Sequence, residues 1–459
     1  MILKEIYHKF KHFQHIVDLL ELQSNISRKY LLNTTFCNDK VSLETILDNV
    51  EKAVYMLKNN ADIVDNICSK ISEIKNIEGT ITNLLHGNVL TDVELFEVKF
   101  FCLLNEEIRL EYKKFDTDFI NIQNLDDVIR ILDPDNEKIR SFYIYDSYSK
   151  DLKDIRKRIT RASNDNDIQL VEELRYLESK IEDDIRIVLS SKLSEFADTM
   201  LQSYESIAQL DIYIAKAKMS LQRNMTKPVI VDKDEDMEVS EMVNPYIEDF
   251  LKSKNRTFQP TDIVLHRSPC LITGANMSGK TVTLKTIALL QYMTQFGFFV
   301  PAGKLKIPLV DKVLTSINET ESDDKGLSSF ANEILKLNDI IRCIKDGYTA
   351  LVLIDELART TNPSEGRKIV GAALHFFDTY NVRSLISSHY DNIEYRTRRL
   401  RVKGLMHIPE GTSLNVDNIN NYIDYSLVEV DDDVVPHDAI RIAELLGVDK
   451  EFITSCLNQ

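Results

Sequence analysis

The sequence predicts an α + α/β protein. An all-helical N-terminal half carries an antiparallel coiled-coil arm, and an α/β domain with a mainly parallel sheet follows. Three observations lead there. Only 13 glycines and 10 prolines occur in 459 residues, which favours long helices over a loop-rich all-β chain. Up to about residue 240, apolar residues recur at three-and-four spacing. Beyond that point, short apolar runs alternate with helical patterns, as in a sheet with crossover helices.

In the first half, Leu152, Ile155 and Ile159 lead to a polar break at Ala162-Ser-Asn-Asp-Asn-Asp167. Leu174, Leu177, Ile181, Ile185 and Val188 then resume helical spacing in a charged background. Two long helices joined by a polar tip predict an arm over about residues 136–205. A helix pair inside a compact bundle fits the same pattern. Around Lys227-Pro-Val-Ile-Val-Asp-Lys-Asp-Glu-Asp236 the texture changes to proline and charge, which divides the chain into domains 1–240 and 241–459. Strands are predicted at Cys270–Thr273, Ala350–Ile354 and Ser384–Ile386.

Composition narrows the class. Apolar and charged fractions of 43% and 28% are those of a soluble globular protein. A net charge of -17 disfavours a general polyanion binder, though not a local basic patch. Six scattered cysteines without a C-x-x-C pair predict free thiols in a reducing compartment. The start lacks the apolar stretch of a signal peptide, and no segment is apolar for long enough to cross a bilayer. The expected location is cytoplasmic, with no membrane partner.

Four segments carry chemistry. In Leu271-Ile-Thr-Gly-Ala-Asn-Met-Ser-Gly-Lys-Thr281, Gly274 and Gly279-Lys280-Thr281 have the G-x-x-x-x-G-K-[ST] spacing of a phosphate-binding loop. Backbone N–H groups from Gly274, Ala275, Asn276, Met277, Ser278 and Gly279 would face phosphate oxygens. Lys280 would reach the terminal phosphates, and Thr281 would ligate Mg²⁺. Leu351-Val-Leu-Ile-Asp355-Glu356 follows 75 residues after Lys280 (355 minus 280). An apolar strand ending there lets Asp355 hold Mg²⁺ opposite Thr281, with Glu356 orienting or deprotonating water. Ser384-Leu-Ile-Ser-Ser388-His389 places a histidine just past a strand, either as a γ-phosphate sensor or as a surface residue. Gly326-Leu-Ser328-Ser329-Phe330 opens a helical run, and alone reads as a helix cap or an anion site.

Together the four segments resemble, in order and spacing, the ATPase domain of the MutS family of DNA mismatch repair proteins, an ABC-class P-loop fold. Thr273–Thr281 resembles its T-G-P-N-M-x-G-K-[ST] loop. Gly326–Glu333 resembles its G-x-S-T-F-x-x-E segment, and Leu353–Thr361 its L-[IL]-D-E-L-G-R-G-T segment. Ala275 stands for the usual proline, and Ala358 and Thr360 stand where glycines are common. The resemblance covers about residues 100–459, strongly after 258.

The resemblance implies an ATP- and Mg²⁺-dependent ATP hydrolase with Glu356, Lys280 and His389 as catalytic residues. It makes Phe258 an adenine-stacking residue, although a core phenylalanine fits equally. It also implies a dimer, of identical or related subunits, in which Ser328 and Ser329 reach the partner's γ-phosphate. A dimerisation segment is expected at about 436–459, together with Tyr425-Ser-Leu-Val-Glu429. No mismatch-reading wedge or Smr segment is found, so a short form is expected. The load is then DNA, gripped by a clamp arm whose basic cluster is Lys150, Lys153, Arg156, Lys157, Arg158 and Arg161. Those residues also fit a solvated helix face. The alternative load is a protein partner, as for the reactivating subunits of cobalamin-dependent aminomutases, which this build also resembles.

Overall fold

Apolar spacing is realised as helix from Leu3 to Gln222 and as strand-and-helix alternation thereafter. The computed structural model describes residues 1–274, 279–317, 329–406, 422–430, 443 and 447–457. Its helices are α1 (Leu3–Lys9), α2 (Lys11–Asp18), α3 (Asn25–Leu32), α4 (Lys40–Asn59), α5 (Ala61–Ser72), α6 (Glu78–Leu85), α7 (Asp92–Tyr112) and α8 (Asp126–Leu132). They continue with α9 (Lys150–Asn164), α10 (Ile168–Ser194) and α11 (Ala197–Gln222). The chain divides into two compact units. One comprises residues 20–34 and 49–218. The other comprises residues 1–19, 35–48 and 219–459. The division therefore differs from a single break near 240, because the two N-terminal segments belong with the α/β unit.

The helical unit closes around one apolar cluster that includes Ile67, Phe101, Leu104, Leu193 and Tyr204. Its arm is a hairpin of α9 and α10 in contact with each other. The Asp167 side chain caps α10 by accepting from Leu170 N, and Asn166 turns the tip at a φ of 56°. Leu152, Leu174, Ile185 and Leu189 are buried, whereas Leu177 and Val188 are 43% and 52% exposed. The apolar pattern of α10 therefore serves two faces, only one of which packs inward.

In the α/β unit, strands β1 (Val229–Val231), β2 (Met237–Met242), β3 (Thr261–Leu265) and β5 (Lys304–Pro308) form a sheet in the order β1-β5-β2-β3. β1 lies inside the proline-and-charge stretch expected to be a boundary. The second sheet contains β4 (Pro269–Thr273), β6 (Lys312–Ser316), β7 (Ala350–Ile354), β8 (Arg383–Ser387), β9 (Arg398–Leu405) and β10 (Ile423–Glu429). Its order is β10-β9-β4-β8-β7-β6, parallel except at β10. Every residue of β4, β7 and β8 is buried, and β7, Ala-Leu-Val-Leu-Ile, accordingly reads as an unbroken apolar run.

Helices α12 (Pro245–Ser253), α13 (Lys280–Gln295), α14 (Ser329–Lys345), α15 (Pro363–Thr379) and α16 (Lys450–Leu457) also belong to this unit. Helix α13 leaves the loop after β4, and α15 joins β7 to β8. The N-terminal segments pack on α13 through Phe13 against Tyr292 and Phe296, and through Phe36 against the same two rings. A buried polar chain adds to this contact. The His12 ring meets Asn244 Oδ1 at 3.1 Å, and Asn244 Nδ2 donates to Thr286 Oγ1 on α13 at 3.1 Å.

Candidate nucleotide site

In a parallel sheet, residues just past the carboxyl ends of adjacent strands converge on one crevice. β4, β8 and β7 are neighbours, so Gly274, Asp355-Glu356 and Ser387–His389 emerge together. Helix α13 starts just after its N-cap Gly279, whose φ of 88° is open to glycine at little cost. Lys280 is buried at 5% exposure and donates from Nζ to Gly274 O at 2.6 Å. Burial lowers its pKa, opposed by the nearby Glu356 and Asp355 carboxylates.

Thr281 Oγ1 donates to Asp355 Oδ2 at 2.7 Å, so the two expected cation ligands already face each other. Ser387 Oγ donates to Asp355 Oδ1 at 2.6 Å and accepts from Glu356 N at 2.8 Å. Ser387 was not singled out from sequence, although its place at the end of β8, two residues before His389, was a signal for it. His389 Nε2 pairs with Glu356 Oε1, and Arg359 Nη1 donates to Glu356 Oε2 at 2.7 Å. Burial pushes the Glu356 carboxyl up, but the His389 and Arg359 bonds outweigh it and hold the group below its ordinary range.

One threonine oxygen and one carboxylate suit Mg²⁺, a cation that keeps phosphate and water oxygens in its remaining positions. The buried amine, the Thr281–Asp355 oxygens and the Glu356 carboxylate form a set of the groups that phosphoryl transfer uses.

Residues 270–456 match the family profile of MutS domain V. Through these residues the chain is similar to domain V of the MutS family. The DNA mismatch repair protein MutS of Petrotoga mobilis is 30% identical over 218 residues, 47% of this chain and 26% of that protein. Endonuclease MutS2 of a Geobacillus species is 32% identical over 227 residues, 49% of this chain and 28% of that protein. The MutS of Finegoldia magna aligns over 404 residues at 28% identity, 83% of this chain and 44% of that protein. The chain thus spans between about a quarter and under a half of the length of these relatives.

Of the MutS motif residues, the structure brings together Gly274, Gly279, Lys280, Thr281, Asp355, Glu356 and His389. Ala275, Asn276, Met277, Ser278, Ser328 and the Ser329 side chain lie outside the described residues. The expected dimerisation segment is described only at Ala443 and over 447–457. Tyr425–Glu429, grouped with that segment from sequence, instead belongs to β10, an edge strand of the site's own sheet. The Tyr425 ring lies against Gly279: a Cβ added there would sit 3.0 Å from its Cδ1. Half-buried Phe258 precedes Gln259, which donates to Asp424 Oδ1 at 2.9 Å and accepts from Tyr425 N at 3.0 Å. Gln259 therefore ties the Phe258 segment to the strand carrying Tyr425. Sequence spacing gave no hint of this pairing, which spans some 165 residues.

On the arm the basic cluster is divided. Arg156 donates to Glu178 and Glu182 of α10 at 2.8 Å each, to Asp146 at 2.7 Å and to Ile144 O at 2.7 Å. It pins the hairpin and is withdrawn from the proposed cationic face, a correction to the expected cluster. Lys150, Lys153, Lys157, Arg158 and Arg161 are exposed. Among the described residues, no helix is long and apolar enough to cross a membrane.

Proposed function

We propose that this chain binds ATP with Mg²⁺ and hydrolyses it, and that the cycle closes and reopens a dimeric clamp on DNA. The observation that carries the proposal is the convergence of Lys280, the Thr281–Asp355 pair and the Glu356–His389 pair at three adjacent strand ends. Lys280 would neutralise the terminal phosphates. Thr281 and Asp355 would hold the cation, which lowers charge repulsion on the transferring phosphoryl group. Glu356, kept ionised by His389 and Arg359, would orient water in line with the γ-phosphate. Phe258 and Tyr425 supply aromatic faces for the base.

Ser328 and Ser329 would complete the site of a second subunit, identical or related. α9 and α10 form the clamp arm, and its five exposed bases contact phosphates. The proposed lever region is the helical unit of residues 20–34 and 49–218, and the proposed ATPase domain is the unit of residues 1–19, 35–48 and 219–459, in a cytoplasmic protein. In this account α4 and α11, which run from one compact unit into the other, carry the motion.

A protein load is favoured by a different observation. Tyr176, Leu177, Ile187 and Val188 expose apolar surface along an acidic α10 while Arg156 is internally paired. Band-shift titrations with homoduplex, mismatched and branched DNA across a salt series separate the two. A DNA clamp binds in an ATP-sensitive way, and its affinity falls steeply with salt. Absence of binding near physiological salt selects the protein partner.

A further inference from the structure

The turn that carries Glu356 is strained, and two side chains outside the proposed chemistry hold it. Glu356 and Ala358 adopt left-handed conformations, with φ of 53° and 62°, which L-residues other than asparagine and aspartate seldom visit. Ala358 stands where glycine is common in the family, so a Cβ is forced into that conformation. It is also fully buried, so water does not satisfy its peptide groups.

Both of those groups are met by side chains. Ala358 N donates to Glu333 Oε1 from α14, and Tyr390 Oη donates to Ala358 O at 2.5 Å. Tyr390 reaches that oxygen only because α15 has Gly366 where the ring crosses. A Cβ there would sit 2.3 Å from Tyr390 Oη. Tyr390 N in turn donates to Ser388 Oγ at 3.1 Å, which fixes the ring's origin beside His389.

We infer that Glu333 and Tyr390 are positioning residues that clamp Ala358 in its left-handed conformation and so aim the Glu356 carboxylate. The inference rests on the ATP-hydrolysis proposal and adds the device that keeps its water-orienting group in place. Strain persists at a functional turn only where the surroundings over-determine it, and here three elements (α14, α15 and the segment after β8) do so. Neither side chain belongs to the phosphate loop or the cation pair, so the clamp acts on turnover rather than on nucleotide affinity.

The experiment combines steady-state ATP turnover with deuterium uptake by the peptide covering residues 355–361 in the nucleotide-free full chain. Tyr390→Phe and Glu333→Ala should each lower kcat about fivefold, the size expected for one lost hydrogen bond, with KM for ATP unchanged. Both should speed uptake in the turn. Glu333→Gln retains an accepting oxygen and should stay near wild type. Gly366→Ala should mimic Tyr390→Phe. Adding Ala358→Gly to Tyr390→Phe should restore most of kcat, because glycine needs no clamp at this φ.

Unchanged kcat in Tyr390→Phe and Glu333→Ala despite faster uptake overturns the inference. So does a change confined to KM, or uptake that stays at the wild-type level. A wild-type chain that fails to turn over ATP, with uptake still raised in the variants, contradicts the hydrolysis proposal while upholding the clamp.

Discussion

The sheet edge and the helical arm both concentrate charge, but they use it differently. At the edge, Asp355 and Glu356 leave a fully buried strand; Asp355 accepts from Thr281 of α13 and Ser387 of β8, and Glu356 pairs with His389 and Arg359. On the arm, Arg156 of α9 is consumed by two carboxylates on α10, Glu178 and Glu182, and by Asp146 just before α9. Strand ends concentrate like function, because parallel strands bring distant residues to one side. Helix hairpins cancel charge, because a facing helix supplies partners along its whole length. Residue type alone therefore anticipates which side chains meet at the edge better than which stay free on the arm.

This contrast sets the order of expected effects. Lys280→Ala should weaken binding of a fluorescent ATP analogue by about two orders of magnitude, as for loss of a buried charged hydrogen-bond donor. Equal binding by this variant would remove the edge from the comparison. Ser387→Ala frees Asp355 Oδ1, and should raise the Mg²⁺ concentration needed for half-maximal turnover about tenfold. A Mg²⁺ titration at saturating ATP reads this directly.

On the arm, Lys157→Ala should reduce the slope of log affinity for DNA against log salt by about 0.9, as for one lost phosphate contact. Arg156→Ala should leave that slope unchanged and destabilise the hairpin by about 1 kcal/mol, read as faster proteolysis within 150–194. The reverse pattern would make Arg156 a DNA contact and undo the contrast.

The smallest effect concerns the helix behind the phosphate loop. Burial lowers the pKa of His12 to about 4, opposed by its bond to Asn244, with Lys285 and His15 lowering it further. A group depressed on folding stabilises the native state above its unfolded pKa, and that contribution is lost as pH falls towards the folded value. Stability of the α/β unit should thus drop by about 1 kcal/mol between pH 6.5 and 5.5. Chemical denaturation at the two pH values tests this, and His12→Gln should flatten the difference.

Much of the edge was legible in the sequence because its strands are buried on both faces and its motifs are contiguous. Ala350–Ile354 has no exposed residue, so the strand and the two carboxylates after it could be read directly. The four-stranded sheet was not legible. Its strand β1 has three residues inside a proline-and-charge stretch and pairs with Lys306–Pro308, far along the chain. The Gln259–Tyr425 tie and the Glu333–Ala358–Tyr390 clamp escaped for the same reason, since register and side-chain reach decide them rather than local spacing. On the arm, periodicity gave the hairpin, but the partners of Arg156 depend on how the two helices face each other.

The central claim is that the edge hydrolyses ATP through Glu356. Steady-state ATP hydrolysis by wild type and Glu356→Gln, with nucleotide binding measured in parallel, tests it most directly. The account predicts that Glu356→Gln binds ATP as wild type does while its turnover falls by about 10² or more. Turnover by Glu356→Gln at the wild-type rate would contradict it.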